Sequence, residues 1–206
     1  MRIQITFSKT DAMRFTSHLD LQRAWERTLR RARLPLAYSQ GFNPRPKINL
    51  ADALPLGFTS EAELIEIWLE EQIPLAEIES ALSPALPPGL IVQKILETVD
   101  PSPKIQNWIQ STRYRIRLEN PPTDFASTLK DLLIQHTIIR ERRGKAYDLR
   151  PLIENLHLEE DGSLHLQVKS LPGETGRPDE VLLALNIDPY QAHVCRTQFI
   201  LQDPRE

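Results

Sequence analysis

The stretch RIQITFSKTDAMRFTSHLDLQRAWERTLRRARL (residues 2–34) changes its period halfway, and that change decides the fold. In RIQITF (2–7), Ile3, Ile5 and Phe7 alternate with polar residues, so the segment reads as a strand with one apolar face. A polar loop follows. Ser17 and Asp20 then stand at the spacing of a capping box. Leu21, Trp25, Leu29 and Ala32 recur at helical spacing until Pro35 stops the run. A strand followed by an amphipathic helix opens a βαβ unit.

Short extended segments at 36–39 and 47–52 flank the turn-rich YSQGFNPRPKINL (38–50). AELIEIWLEE (62–71) alternates again, as a strand does. PLAEIESALSPAL (74–86) begins with proline in a first helical turn, and PPGLIVQKILETV is a turn leading into a strand. The order is βαββαβ. The second half repeats it. TRYRIRLE (112–119) sets Tyr114, Ile116 and Leu118 on one face and Arg113, Arg115 and Arg117 on the other. PPTDFASTLKDLLIQ carries a helical stripe at Phe125, Leu129, Leu132 and Leu133. TIIRERRG and SLHLQVKS (163–170) read as the two middle strands, RPDEVLLALN (177–186) as a short helix and AHVCRTQFIL as the closing strand. The expectation is an α+β chain of two tandem ferredoxin-like domains, 1–100 and 105–206, joined at DPSPK (100–104). The second domain carries an inserted segment near 144–162, expected to hold a helical turn and a strand.

Composition narrows the function classes. With 40% apolar and 26% charged residues the chain has globular character. It contains no apolar run of membrane-spanning length, and its opening residues lack the apolar core of a secretory signal. The single cysteine, Cys195, rules out an internal disulfide and an all-cysteine metal site. These features point to a cytoplasmic protein. The net charge of −3 hides alternating blocks: +7 over residues 1–47, −9 over 48–100, +5 over 101–150 and −6 over 151–206. A segregated basic block can bind an anion whatever the net charge, although solvated faces produce the same text.

Within the first basic block, Arg23, Arg27 and Arg30 form a ladder on the helix side opposite Leu21 and Trp25, the arrangement that tracks phosphates. Salt bridges to Asp20 and Glu26 are the plainer use. Between Tyr38 and Lys47, Gly41 and Asn43 permit positive φ, Pro44 and Pro46 stiffen the exit, Arg45 and Lys47 supply cations, and Tyr38 and Phe42 offer rings on which a base can stack. A turn plugged by Phe42 is the competing reading. GKAYDLRPLI (144–153), with the run Arg140, Arg142, Arg143 and Lys145 and the Asp148–Arg150 pair, is the counterpart in the second half. His18 opens the first helix, where a neutral imidazole faces the positive end of the helix dipole; that suits a general base, or a histidine packed on Trp25 and Leu29. LPGETGRPDE (171–180) has glycines before a helix but lacks P-loop spacing. The histidines at 18, 136, 157, 165 and 193 are scattered; the strand reading can bring His157 and His165 near each other, but metal-ligand spacing is not evident, so neither metal nor cofactor is expected.

RFTSHLDLQRAWERTLRRARLPLAYSQGFNPRPKINLADALPLG (14–57), with DLRPLI (148–153) and RPDEVL (177–182), resembles the radical-SAM-linked protein family built on domain of unknown function 2344. The family pattern falls on Arg14, Ser17, His18, Asp20 and Arg23, on Tyr38, Ser39, Gly41, Phe42, Asn43, Pro44 and Lys47, and on Asp148, Arg150, Pro151, Arg177 and Pro178. The resemblance implies work on RNA, tRNA or the ribosome, because members stand alone or extend radical SAM enzymes and lie near ribonuclease E/G and ribosomal-protein genes. It assigns no catalytic role to any residue. The chain has no C-x-x-x-C-x-x-C, so radical chemistry would come from a partner. A weaker likeness, to the CRISPR repeat-processing endoribonucleases, rests on tandem domains and a histidine near the first helix. The expected function is therefore an RNA-binding accessory without catalytic activity of its own. Its expected RNA contacts are Arg14, Arg23, Arg27, Arg30, Tyr38, Phe42, Asn43, Arg45, Lys47, Arg143, Lys145 and Arg150, with tRNA or rRNA and a radical SAM enzyme as partners and no membrane. A metal-independent endoribonuclease using His18 and a protein-interaction subunit without RNA contact are the alternatives.

Overall fold

The computed structural model describes residues 1–98, 103–142 and 144–202; hinge residues 100–102 and the candidate Arg143 lie outside the described residues. The chain is α+β and divides into two units, Met1–Trp108 and Ile109–Asp203.

In the first unit, strands β1 (Arg2–Lys9), β2 (Ile48–Leu50), β3 (Thr59–Trp68) and β4 (Leu90–Glu97) pair antiparallel in the order β4-β1-β3-β2. The registers line up apolar side chains across the sheet. Ile5 faces Ile65 on one side and Ile95 on the other, and Ile3 faces Ile67. Helices α1 (His18–Arg31) and α2 (Leu75–Leu82) bring Leu21, Trp25, Leu29, Ile78 and Leu82 to the same core as Ile3, Ile5, Phe7, Ile65 and Ile67. Phe7 meets Trp25 edge-on at 4.8 Å between centroids. The expected Ser17 cap is present: Ser17 Oγ accepts from Asp20 N at 3.2 Å, and it donates to Asp20 Oδ2 at 2.7 Å, so the carboxylate answers the hydroxyl of the cap residue. The helix stops where Arg33 turns into the left-handed region at φ 57°, ahead of Pro35. Gly89 is required where it stands. Its φ is +94°, and a Cβ there would lie 2.9 Å from the Met13 backbone nitrogen.

The opposite face of this sheet was expected to be the wet side of an alternating strand, yet it holds a buried charge pair. Arg2 and Glu66 are 3% and 2% exposed and bond directly to each other. Arg2 also donates to Pro103 O at 2.9 Å and lies 4.9 Å over the Trp68 ring. Glu66 Oε2 accepts from Asn49 Nδ2 at 3.0 Å and from Ile105 N at 3.1 Å. Residues 103–105 lie over this face, and Arg2 Nη2 and both Glu66 oxygens find partners there, which offsets part of the cost of burying the pair.

In the second unit, β5 (Ile109–Leu118), α3 (Phe125–Leu133), β6 (Ile139–Arg142), β7 (Lys145–Asp148), β8 (Ile153–Leu158), β9 (Leu164–Leu171), β10 (Glu174–Thr175), α4 (Pro178–Ala184) and β11 (Ala192–Leu201) follow in order. The main strands pair antiparallel as β11-β5-β9-β8, and β10 extends β9. One row runs Leu158, Leu164, Ile116, Val194 across four strands on the apolar face. TIIRERRG does form a strand, but not in this sheet. Its β6 pairs only with β7, as a separate two-stranded hairpin, and the sheet position falls to Ile153–Leu158. In IENLHL a register shift between Ile153 and Asn155 lets Ile153 and Leu156, three residues apart, both be buried, whereas Ile139 stays exposed. No helix among the described residues is long and apolar enough to cross a membrane, which leaves β-barrels unaddressed.

Candidate nucleic-acid interface

The loop between α1 and β2 is braced from its base. Ala37 N donates to Trp68 O at 2.9 Å, Lys47 N to Ala37 O at 2.7 Å and Ser39 N to Arg45 O at 2.8 Å. Arg45 N returns a bond to Ser39 Oγ at 3.0 Å, and Tyr38 bridges Pro46. Gly41 takes φ +144° at the turn, and Pro44 and Pro46 hold the returning arm extended. The result is a projecting loop held at its base by these bonds. At its tip Phe42 is 107% exposed and touches no core, so it is not a plug. Tyr38, Asn43, Arg45 and Lys47 are exposed along the same loop.

On α1 the ladder faces solvent as expected. Arg23 pairs with Asp20 at 3.0 Å, Arg30 with Glu26 at 4.0 Å, and Arg27 is exposed between them. The Arg23–Asp20 pair is exposed on both sides and the Arg30–Glu26 contact is long, so both are weak. Arg31 is committed elsewhere, with Nε donating to Ala85 O at 3.1 Å. Arg14 is also in structural use. Its Nε donates to Gly57 O at 2.6 Å, and its guanidinium lies 5.5 Å over the exposed Phe15 ring. His18 is half-buried, and its Nδ1 is shielded from solvent with no hydrogen-bond partner among the described residues.

In the second unit Lys145 is exposed opposite Arg142 in the β6–β7 hairpin. Arg150 instead turns inward, donating to Ile153 O at 3.3 Å and Leu133 O at 3.4 Å. Asp148 does not pair with its side chain; Asp148 Oδ1 accepts from Ile138 N at 2.8 Å and Arg150 N at 3.0 Å. Arg140 ties the hairpin to α4 through Glu180 at 3.0 Å, and burial, with Glu180 beside it, pushes the Tyr147 phenol up. Arg177 grips Asp179 through two bonds of 2.9 and 2.8 Å. Thus α4 supplies the group that meets the arginine at its own start.

Residues 2–178 match the family described as "Uncharacterized protein conserved in bacteria (DUF2344)", and the chain belongs to that family. No curated protein matches. Among solved structures, a chain from "Crystal Structure of a Cbf5-Nop10-Gar1 Complex" is 12% identical with a TM-score of 0.48; the match covers 96% of this chain and 48% of that one, so this chain spans about half its length. An unknown protein from Galdieria sulphuraria is 14% identical with a TM-score of 0.29, covering 97% of this chain and 98% of that one. Likenesses at this level carry no functional argument.

Proposed function

We propose that the protein is an RNA-binding accessory, built of two ferredoxin-like βαββαβ modules, that acts in the cytoplasm and presents RNA to a radical SAM enzyme. The observation that carries this reading is Phe42, fully exposed at the tip of a braced hairpin whose arms hold Arg45 and Lys47. An exposed aromatic at the tip of a hydrogen-bonded loop is suited to stack on an unpaired base, while the cations meet the flanking phosphates. The ladder of Arg23, Arg27 and Arg30 supplies a second phosphate track. Support for the ferredoxin-like modules comes from the strand order: in each unit the fourth strand of the main sheet lies beside the first, then the third, then the second. Filter binding with tRNA and rRNA fragments at low salt tests the reading. Wild type is expected to bind, and Arg27→Glu to bind more weakly with a shallower salt dependence. No affinity, or no change in Arg27→Glu, ends it.

One observation favours a protein partner as well. Phe15, Leu19 and Leu56 are large apolar side chains left exposed, with the Phe15 ring close to Gly57. A pulldown that recovers a radical SAM protein from nuclease-treated lysate, and loses it with Phe15→Ser, supports an interaction subunit.

A further inference from the structure

The polar face of the second unit's sheet gathers two imidazoles and a carboxylate. His157 on β8 stands directly across from His165 on β9, with ring centroids 5.6 Å apart. Just beyond β8, Glu159 begins a tight turn that is pinned by Glu159 N to Ser163 O at 2.9 Å and Gly162 N to Glu159 O at 3.0 Å. The turn sets Glu159 Oε1 at 3.0 Å from His157 Nε2 and 3.8 Å from His165 Nδ1. All three donor atoms lie within 4.8 Å of one another. A tetrahedral ion with bonds of about 2.0–2.2 Å holds its ligand atoms about 3.3–3.5 Å apart. Small side-chain rotations bring this trio to that spacing.

The second nitrogen of His157 sharpens the case. Nδ1 lies 3.2 Å from Asn155 Oδ1, an oxygen that only accepts. On the other side of the ring, Nε2 lies 3.0 Å from Glu159 Oε1. An imidazole whose outer N–H is fixed by an acceptor while the inner nitrogen points at further donors is the orientation of a metal ligand. Asp161 is not part of the set: its Oδ1 accepts from Ser163 N at 2.9 Å and Ser163 Oγ at 2.6 Å, and its Oδ2 faces Arg117 at 3.9 Å.

We propose that His157, Glu159 and His165 bind one divalent transition-metal ion, with zinc the best match to two imidazoles and a carboxylate. Three protein ligands leave the fourth position to solvent. Arg115 and Arg117 line the same recess together with Glu160 and Asp161. The sequence hides the site because its H-x-E-x5-H spacing arises from cross-strand register and not from a helix.

The full chain, freed of metal with chelator, is titrated with zinc in competition with a chromogenic chelator. A parallel titration with cobalt(II) is followed by visible absorption. The expected result is one ion per chain, tetrahedral cobalt bands, and affinity at least ten-fold lower in His157→Ala, His165→Ala and Glu159→Gln. Asn155→Ala loses about ten-fold, as expected for an outer-shell group. His193→Ala, which removes an ordinary exposed histidine paired with Glu119 at 3.4 Å, binds as wild type does. Metal-free melting temperatures that match across the variants show that each is folded. Wild-type zinc binding that is absent, or that survives unchanged in His157→Ala and Glu159→Gln, overturns the proposal, and RNA affinity plays no part in that outcome.

Discussion

Phe42 could be read two ways from the sequence because composition records which residues a turn contains and not which way they point. The ladder bonds around Ser39 and Arg45 point it outward. Since it packs on nothing, Phe42→Ala is expected to change unfolding free energy by no more than about 0.5 kcal/mol, which chemical denaturation measures. Arg2 and Glu66 behave in the opposite way. Alternation put both on the polar face of their strands, and local pattern cannot show that residues 103–105, a hundred positions from Arg2, lie over that face. Glu66→Ala leaves the Arg2 guanidinium buried without its counter-charge and is expected to cost about 3–5 kcal/mol. A denaturation midpoint within error of wild type would contradict that account of the pair.

The helix α1 was legible almost to the residue, because its cap, its stripe and its proline stop are all local signals. Ser17→Ala is expected to cost about 1 kcal/mol through loss of the cap. It should also change the acid response. The Ser17 hydroxyl first, and Arg23 second, hold the Asp20 carboxyl below its ordinary value of 3.8. A carboxyl that is more acidic folded than unfolded adds stability above its unfolded pKa, and that contribution fades as pH falls through the depressed value. Protection factors in α1, which correct for the slowing of intrinsic exchange in acid, should therefore fall below about pH 4 in wild type and show a flatter pH profile in Ser17→Ala. The strand TIIRERRG was legible as a strand and illegible in its pairing. Its local text suits a sheet as well as IENLHL does. The choice between them is made by distant register, with Leu156 facing Leu166 and Leu158 facing Leu164. Arg150 was misleading for a related reason: an arginine beside a proline in a basic block looks exposed until the carbonyls of Leu133 and Ile153 are found within its reach.

At the scale of the whole chain, each of the two units carries a main sheet in which the fourth strand lies beside the first, then the third, then the second. The alternating charge blocks correspond in part to exposed basic features: the α1 ladder, the Tyr38–Lys47 hairpin and the β6–β7 hairpin. Of the residues expected to meet RNA, Arg23, Arg27, Arg30, Phe42, Asn43, Arg45, Lys47 and Lys145 stand free enough to do so, while Arg14 and Arg150 hold the fold together. Arg113 and Arg117, on the polar face of β5, are exposed as well, and the alternation of TRYRIRLE was the signal that placed them there. The most direct test of the RNA reading is a fluorescence titration of single-stranded RNA with wild type, Phe42→Ala and Lys47→Glu across a salt series. Loss of one stacked base should weaken Phe42→Ala binding by about 1–3 kcal/mol at every salt concentration, and loss of one phosphate contact should lower the salt slope of Lys47→Glu by about one. Identical affinities and slopes for all three proteins would contradict it.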